Sequence, residues 1–191
     1  MLKLIVFLVA FILIGCAGLI DRDSLEANTG AASGDAAKAS ANSSSKVIDA
    51  NNAIYEVQVA EGVSYQDVVD SLKSVSEGMN FVNPANFPIG DHMKLRGVDP
   101  QGVKEVHSFC NLSMGTEIIL DHPEFLVFAP CRIALYEKPD TNKKTQLFIG
   151  LARPTFDLKS IKNPTARAQK SAQQLEDALI QLMDKARRGD I

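Results

Sequence analysis

The sequence predicts an α+β domain of two layers, in which helices gather on one face of an antiparallel sheet. Two observations, the order of the elements and a hairpin, support this fold class. A strand pattern and an amphipathic helix open the folded region, several short strands fill its middle, and a long helix closes it. A polar turn over residues 138–144 also joins two strand patterns into an antiparallel hairpin.

The composition is that of a folded protein with few nucleic-acid-binding features. Of 191 residues, 46% are hydrophobic and 23% are charged, a balance typical of globular domains. The net charge of −3 and the absence of tryptophan argue against a basic surface or an aromatic platform for bases. We therefore predict no nucleic-acid partner. Three cysteines are also too few for a disulfide-built scaffold.

The amino terminus has the pattern of an export signal. Residues 1–15 carry Lys3 and then an apolar run too short to span a membrane comfortably, which is typical of a secretory signal. The four residues at the end of this run, Leu13-Ile14-Gly15-Cys16, resemble the lipobox of bacterial lipoproteins. That resemblance implies cleavage before Cys16 and acylation of its thiol. The alternative is a plain secretory signal or a short anchor helix with an incidental cysteine.

Acylation would place the protein on a membrane. Two or three acyl chains hold a protein durably, because each buried methylene contributes about 0.8 kcal/mol. Ala17 resembles the enterobacterial sorting pattern for the outer membrane. We therefore expect a protein of the bacterial cell envelope that faces the periplasm, with the membrane as its partner through the lipid.

A linker separates the anchor from the folded domain. Residues 16–46 contain the lipidated cysteine and then a stretch of Ala, Ser, Gly and Asn without apolar periodicity. Some twenty flexible residues reach roughly 25 Å. The single folded domain is predicted over residues 47–191.

The first half of this domain combines a strand, a helix and Pro/Gly-rich connections. Residues 54–59 alternate as a half-buried strand, and Ser64 with Asp67 forms a capping-box-like helix start. Short strands are expected around 81–82 and 93–98. The buried stripe of this helix is predicted to be Val68, Leu72, Val75 and Met79. The next strand is predicted over 104–112, and its inward face is predicted to be Val106, Ser108, Cys110 and Leu112.

The second half predicts a short helix over 113–120 and hairpin strands over 131–137 and 144–152. Asn163 as cap and Pro164 at the first position are expected to begin a helix that runs to Arg188. The predicted buried stripe of this helix is Ala168, Ala172, Leu175, Leu179, Leu182 and Ala186, and its predicted polar side is Arg167, Lys170, Glu176, Asp177, Asp184 and Lys185.

Three stretches resemble the bacterial and archaeal family called domain of unknown function 302. They are VSYQDVVDSLKSVSEGMNF, VHSFCNLSMGTEIILDHPEFLVFAPCRIALYE and KTQLFIGLARP. The resemblance covers roughly residues 53–155. It implies a two-layer α+β domain with a topology like that of the TATA-binding protein, and it implies no activity and no catalytic residue.

Cys110 and Cys131 are the leading pair of candidate residues. Outside the cytoplasm two cysteines in one domain usually form a disulfide, and each lies on a strand predicted to be apolar on that face. Two free buried thiols are the second interpretation. A redox-active pair is the third, because the close Cys-x-x-Cys spacing that lowers a thiol pKa is absent.

Metal and acid–base sites have weaker support. His107 could join Cys110 and Cys131 in a zinc or copper site, but residues three apart on a strand face opposite sides. Asp91-His92-Met93 with Met114 could bind copper or haem, although a solvated loop histidine is the simpler interpretation. Glu117 and Asp121 could form a carboxylate pair, although a solvated acidic edge is the simpler interpretation, and Asp121-His122 could cap the short helix.

The sequence thus favours a non-enzymatic, lipid-anchored binding or accessory module for a partner protein or a small ligand. The alternative is a redox- or cofactor-linked accessory protein that uses Cys110 and Cys131, or that binds haem or a metal. No motif for nucleotide binding or for a serine nucleophile occurs in the sequence, so no catalytic residue and no cofactor are predicted.

Overall fold

The computed structural model describes residue 49 and residues 51–191. The predicted signal peptide, Cys16 and the predicted linker of residues 16–46 lie outside the described residues. Within the described part of the chain, no helix has the length and apolar character needed to cross a bilayer.

The sheet has five strands, and every neighbouring pair is antiparallel. Its order is β1-β5-β4-β3-β2, so the first strand of the chain lies beside the last. The predicted hairpin is β4 and β5. The strands are β1 Ile54–Gln58, β2 Asn86–Phe87, β3 Lys104–Phe109, β4 Cys131–Pro139 and β5 Thr145–Ala152.

Helices cover one face of this sheet, and the predicted α+β fold class is confirmed. The longest helix packs against the first, third and fourth helices and against two strands. A 3-10 helix over Pro123–Phe128 leads into β4. The α-helices are α1 Tyr65–Gly78, α2 Ile89–Leu95, α3 Leu112–Ile119, α4 Pro154–Leu158 and α5 Ala166–Ala186.

Strand register determines which side chains face the helices. Ile133 and Leu135 of β4 lie opposite His107 and Glu105 of β3, and all four therefore share one face. The two apolar residues are completely buried. The predicted stripe of α5 is also buried, and it closes the core over this face.

The start of α1 confirms the sequence prediction in detail. The Asp67 backbone N–H donates to Ser64 Oγ at 3.1 Å, and the Ser64 backbone N–H donates to Asp67 Oδ2 at 2.8 Å. Two of the orphan N–H groups at the helix start are satisfied in this way.

Four local predictions are wrong. Residues 93–98 are not a strand, because α2 occupies most of them. The cap of α5 is Thr165, whose side chain accepts from the Ala168 N–H, whereas Asn163 adopts a positive φ of 53°. Strand β3 ends at Phe109, so Cys110 and Leu112 are not part of it. Its odd-numbered residues face the helices, so the even-numbered face predicted to point inward is the wrong one.

Glu176 is the fourth residue or segment whose predicted environment is wrong. The sequence predicts it on the polar side of α5, but it is only 1% exposed. Arg153 donates to Glu176 Oε1 from Nε at 2.9 Å, and Arg153 Nη1 donates to the Asp49 and Asn52 carbonyls at 2.7 and 2.8 Å. The Thr155 N–H also donates to the Glu176 carboxylate at 3.0 Å. This network ties the beginning of the described chain to α5.

A candidate ligand cleft between α1 and β3

A cleft separates α1 from β3. Helix α1 packs mainly against α5, and it leaves a gap to the outer strands β2 and β3. Two cavities of about 510 and 480 Å³ flank β3 near Glu105 and His107, the first bounded mainly by α2 and residues 99–104 and the second by α1 and β2, and they have no lining residue in common. Tyr65 and Glu105 line the first cavity. Val69, one helical turn after Tyr65, and His107, two strand residues after Glu105, line the second. We call the two cavities together the α1–β3 cleft.

The cleft has the size and lining of a small-molecule site. Pockets for small ligands typically have volumes of about 300–1,000 Å³ and combine apolar walls with a few polar groups. Near His107 the apolar lining consists of Val69, Phe81, Val82 and Phe109. Asn83 and Asn86 add amide groups at the β2 edge.

Two titratable residues of β3 occupy positions where buried apolar side chains would be expected. His107 is only 3% exposed, and the side chain of Glu105 is 14% exposed. Both residues lie opposite completely buried apolar residues of β4. Burial of polar groups without full pairing costs about 1–3 kcal/mol, so such groups commonly mark functional positions.

Glu105 contacts Tyr65 in the first cavity and His107 in the second. Tyr65 Oη donates to Glu105 Oε2, and Glu105 Oε1 lies 3.4 Å from His107 Nε2. Burial, assisted by Glu105, raises the pKa of Tyr65 to about 12, so this phenol stays protonated and continues to donate.

The imidazole of His107 is incompletely paired. Its Nε2 atom is buried and has no hydrogen-bond partner among the described residues, because the contact with Glu105 lacks hydrogen-bond geometry. Burial lowers the pKa of His107, while the Glu105 carboxylate opposes that shift. The ring is therefore neutral near neutral pH, and one of its nitrogens is an acceptor.

The cavity beside α2 and Glu105 is lined by more acidic side chains than lysines. Lys94 pairs with Asp91 at 3.0 Å, and Lys104 Nζ donates to the backbone carbonyls of residues 101, 103 and 137 at 3.1 Å. Both lysines are therefore occupied. Asp99 and Glu137 also line this cavity, and Glu137 Oε2 accepts from the Val103 N–H at 2.9 Å.

Cys110 and Cys131 lie near each other at the opposite end of the sheet, and both are free thiols in the structure. They line a small, mostly apolar cavity of about 40 Å³ together with Phe109, Phe125 and Phe128. Burial, and secondarily Cys110, raises the pKa of Cys131 to about 12, and burial also raises the pKa of Cys110. Raised thiol pKa values disfavour a redox role that needs a thiolate. A disulfide between them stays a prediction.

The predicted carboxylate pair is held by an arginine. Arg167 lies 3.6 Å from Glu117 through Nη1, and its Nε donates to Asp121 at 3.0 Å. Arg167, with Thr165, lowers the pKa of Asp121 to about 2. His122 Nε2 accepts from the Thr165 N–H at 3.0 Å. Asp121 and His122 thus connect the end of α3 to the start of α5.

The other predicted metal ligands are distributed over separate helices. Asp91, His92 and Met93 belong to α2, where Asp91 is engaged with Lys94, and Met114 lies in α3. In residues 51–191 no three His, Cys, Asp or Glu side chains converge in a way that could hold a metal ion.

Sequence reasoning missed the grouping of Tyr65, Glu105 and His107. It considered His107 only in relation to Cys110. The available signal was the alternation Glu105, His107, Phe109, which places two polar residues on the same strand face as a buried aromatic. The 40 residues between Tyr65 and Glu105 concealed the third member.

The fold and the cleft define a small α+β domain with a polar-floored pocket beneath its first helix. The model of the family described as "Domain of unknown function DUF302" matches residues 55–186, and the chain belongs to this family. The predicted family resemblance is thereby confirmed.

Two individual proteins illustrate the relationship. A crystal structure of an uncharacterized conserved DUF302 protein from Bacillus stearothermophilus aligns with a TM-score of 0.61 and 18% identity, covering 70% of this chain and 98% of that one. This likeness concerns the fold. An uncharacterized protein of Aquifex aeolicus (strain VF5) is 35% identical over 80 residues, which is 42% of this chain and 49% of the relative. The match thus spans about half of that relative's length.

Proposed function

We propose that this protein is a non-enzymatic, lipid-anchored binding module of the bacterial cell envelope, and that it holds a small ligand in the α1–β3 cleft. The carrying observation is a cavity of about 480 Å³ that the buried His107 lines together with apolar and amide side chains.

Binding is favoured over catalysis by the groups that surround the imidazole. Among the described residues of the cleft, the aliphatic hydroxyl belongs to Ser76, whose Oγ donates to the Lys73 carbonyl at 2.9 Å. The Tyr65 hydroxyl is likewise committed to Glu105. A histidine becomes the base of a nucleophile only when that nucleophile lies within hydrogen-bond reach.

The anchor is supported by the sequence pattern that ends at Cys16. A lipid on this cysteine and the linker predicted after it would keep the domain within roughly 25 Å of a membrane surface. A ligand-binding module held there would sample small molecules of the periplasm.

Two adjacent residues of β2 offer a matched test of the cleft. Asn86 lies opposite His107 and lines the cleft, whereas Phe87 lies opposite Val106 on the other face of the sheet. Both are exposed, so a tryptophan at either position should be tolerated. The protein is purified from its own membranes, and bound small molecules are detected by native mass spectrometry.

We expect Asn86→Trp to lose a small molecule that Phe87→Trp and the unmodified protein retain. Retention of the same molecule by all three proteins would show that it binds elsewhere. Purification of all three without any small molecule would contradict the proposed function.

A further inference from the structure

We propose that the exposed apolar side chains of Leu112, Leu126 and Val127 form a membrane-contact surface, which lies against the lipid bilayer that carries the anchor. We call these three residues the apolar edge. This inference rests on the lipid anchor of the proposed function, and it adds which part of the domain faces the membrane.

The first argument is the exposure of the apolar edge. Leu112 is 65% exposed, Leu126 is 55% exposed and Val127 is 79% exposed. Leu112 begins α3, and the other two residues lie in the 3-10 helix, which packs against α3. Residues of both segments also line one small cavity, so the two segments lie side by side. Exposed apolar residues grouped in this way commonly mark an interaction surface.

The second argument is the place where the preceding chain joins the domain. Arg153 Nη1 donates to the carbonyls of Asp49 and Asn52 at 2.7 and 2.8 Å, which holds the first described residues beside the start of α4. Helix α4 packs against the 3-10 helix that carries Leu126 and Val127. The predicted linker therefore joins the domain close to the apolar edge.

The strand directions place all of these segments at one end of the sheet. At this end β1 and β4 begin, and β3 and β5 end. Helix α3 follows β3, the 3-10 helix precedes β4, and α4 follows β5. The apolar edge and the attachment of the predicted linker thus share this end, which we call the linker end.

The third argument compares the reach of the linker with the length of the sheet. Leu95 is 83% exposed, but it belongs to α2, whose Gly90 lies beside Lys104 at the beginning of β3 and thus at the opposite end. The nine residues of β4 separate the two ends by roughly 30 Å. The predicted linker has a typical reach of roughly 25 Å, so it holds the linker end nearer to the membrane.

The anchor makes a small apolar surface sufficient. Three side chains offer too little area to attach a domain to a bilayer by themselves. A flexible tether turns the contact into an intramolecular one, with an effective concentration of about millimolar. The apolar edge therefore orients a domain that the lipid already holds at the membrane.

The sequence contains no tryptophan, which allows a direct measurement. Val127→Trp puts a single indole on the apolar edge, and Thr141→Trp puts one in the exposed turn between β4 and β5, at the opposite end. Each lipidated protein is reconstituted into vesicles of phosphatidylethanolamine and phosphatidylglycerol with brominated acyl chains, and flotation measures its attachment. Because interfacial apolar groups lie about 5–10 Å into the boundary between headgroups and acyl chains, we expect fluorescence quenching at least about twofold stronger for Val127→Trp than for Thr141→Trp.

Two charged substitutions in the Val127→Trp protein test whether the apolar edge itself makes the contact. Leu126→Asp should remove most of the quenching, because moving a carboxylate out of water is costly. Leu95→Asp adds the same charge at an exposed leucine of the opposite end, and it should leave the quenching unchanged.

The outcomes separate this inference from the proposed function. Floating protein in which Val127→Trp and Thr141→Trp are quenched equally, or are not quenched, would overturn the membrane-contact surface and leave the lipid anchor in place. Quenching of the Val127→Trp protein that survives Leu126→Asp would also overturn it. If the purified protein carries no lipid and does not float with the vesicles, both the membrane-contact surface and the anchor of the proposed function are contradicted.

Discussion

His107 Nε2 lies 3.4 Å from Glu105 Oε1 on the helix-facing side of β3, opposite the completely buried Ile133 and Leu135. Two titratable groups thus lie beside completely buried apolar residues on this face of the sheet. Burial of these groups carries an electrostatic cost, and that cost should be visible in the pH dependence of folding.

The stability of the domain should fall as the pH drops below the ordinary pKa of histidine. Burial lowers the pKa of His107, so the unfolded chain takes up a proton before the folded one does. The His107 contribution is complete above about pH 6.5 and is lost as the pH falls toward the folded-state pKa. Urea denaturation between about pH 7.5 and about pH 5.5 measures this slope. His107→Gln should flatten it, and an unchanged slope in that variant would contradict the account.

Removing Arg153 should destabilise the fold strongly. Arg153→Met leaves the Glu176 carboxylate buried without its main partner, which typically costs about 3–5 kcal/mol. Arg167→Met removes a more exposed arginine from the Asp121 pair, where solvent screens the charges, and should destabilise the fold much less. Chemical denaturation of both variants gives the comparison. Equal losses would mean that Arg153 has no special role in joining the first described residues to α5.

We predict a disulfide between Cys110 and Cys131 in protein matured in an oxidising compartment. The two side chains line one cavity, and closing a loop of about twenty residues would stabilise the domain by roughly 3 kcal/mol in the chain-entropy model. Intact mass spectrometry with and without reductant should reveal the loss of two hydrogens. Two thiols that react with alkylating reagent in the unfolded, unreduced protein would refute the bond.

Cys16→Ser should release the protein from the membrane. The substitution removes the thiol that the lipobox-like pattern assigns to acylation. Fractionation of cells into membrane and soluble parts measures the change, and Cys110→Ser serves as a control that keeps the predicted anchor. A Cys16→Ser protein that stays firmly in the membrane fraction would exclude the lipid anchor.

Most elements of the fold could be predicted from periodic patterns in the sequence. The alternation at β1, the capping box at Ser64 and the stripe of α5 all depend on neighbouring residues, so the sequence reveals them directly. The hairpin of β4 and β5 is similarly local.

Errors arose where distant contacts override local preference. Glu176 is an ordinary surface residue by its position in the helix pattern, and Arg153, 23 residues earlier, makes its burial possible. The cleft was hidden for the same reason. Tyr65 and Glu105 meet only because α1 lies across the helix-facing side of the sheet, and no spacing rule in the sequence encodes that approach.

A crystal structure of the protein purified from its own membranes would show whether the α1–β3 cleft holds a ligand. We expect electron density for a small molecule in the α1–β3 cleft, in contact with the apolar and amide side chains that line it. A cleft that contains only water, in protein that carries a bound small molecule elsewhere, would contradict it.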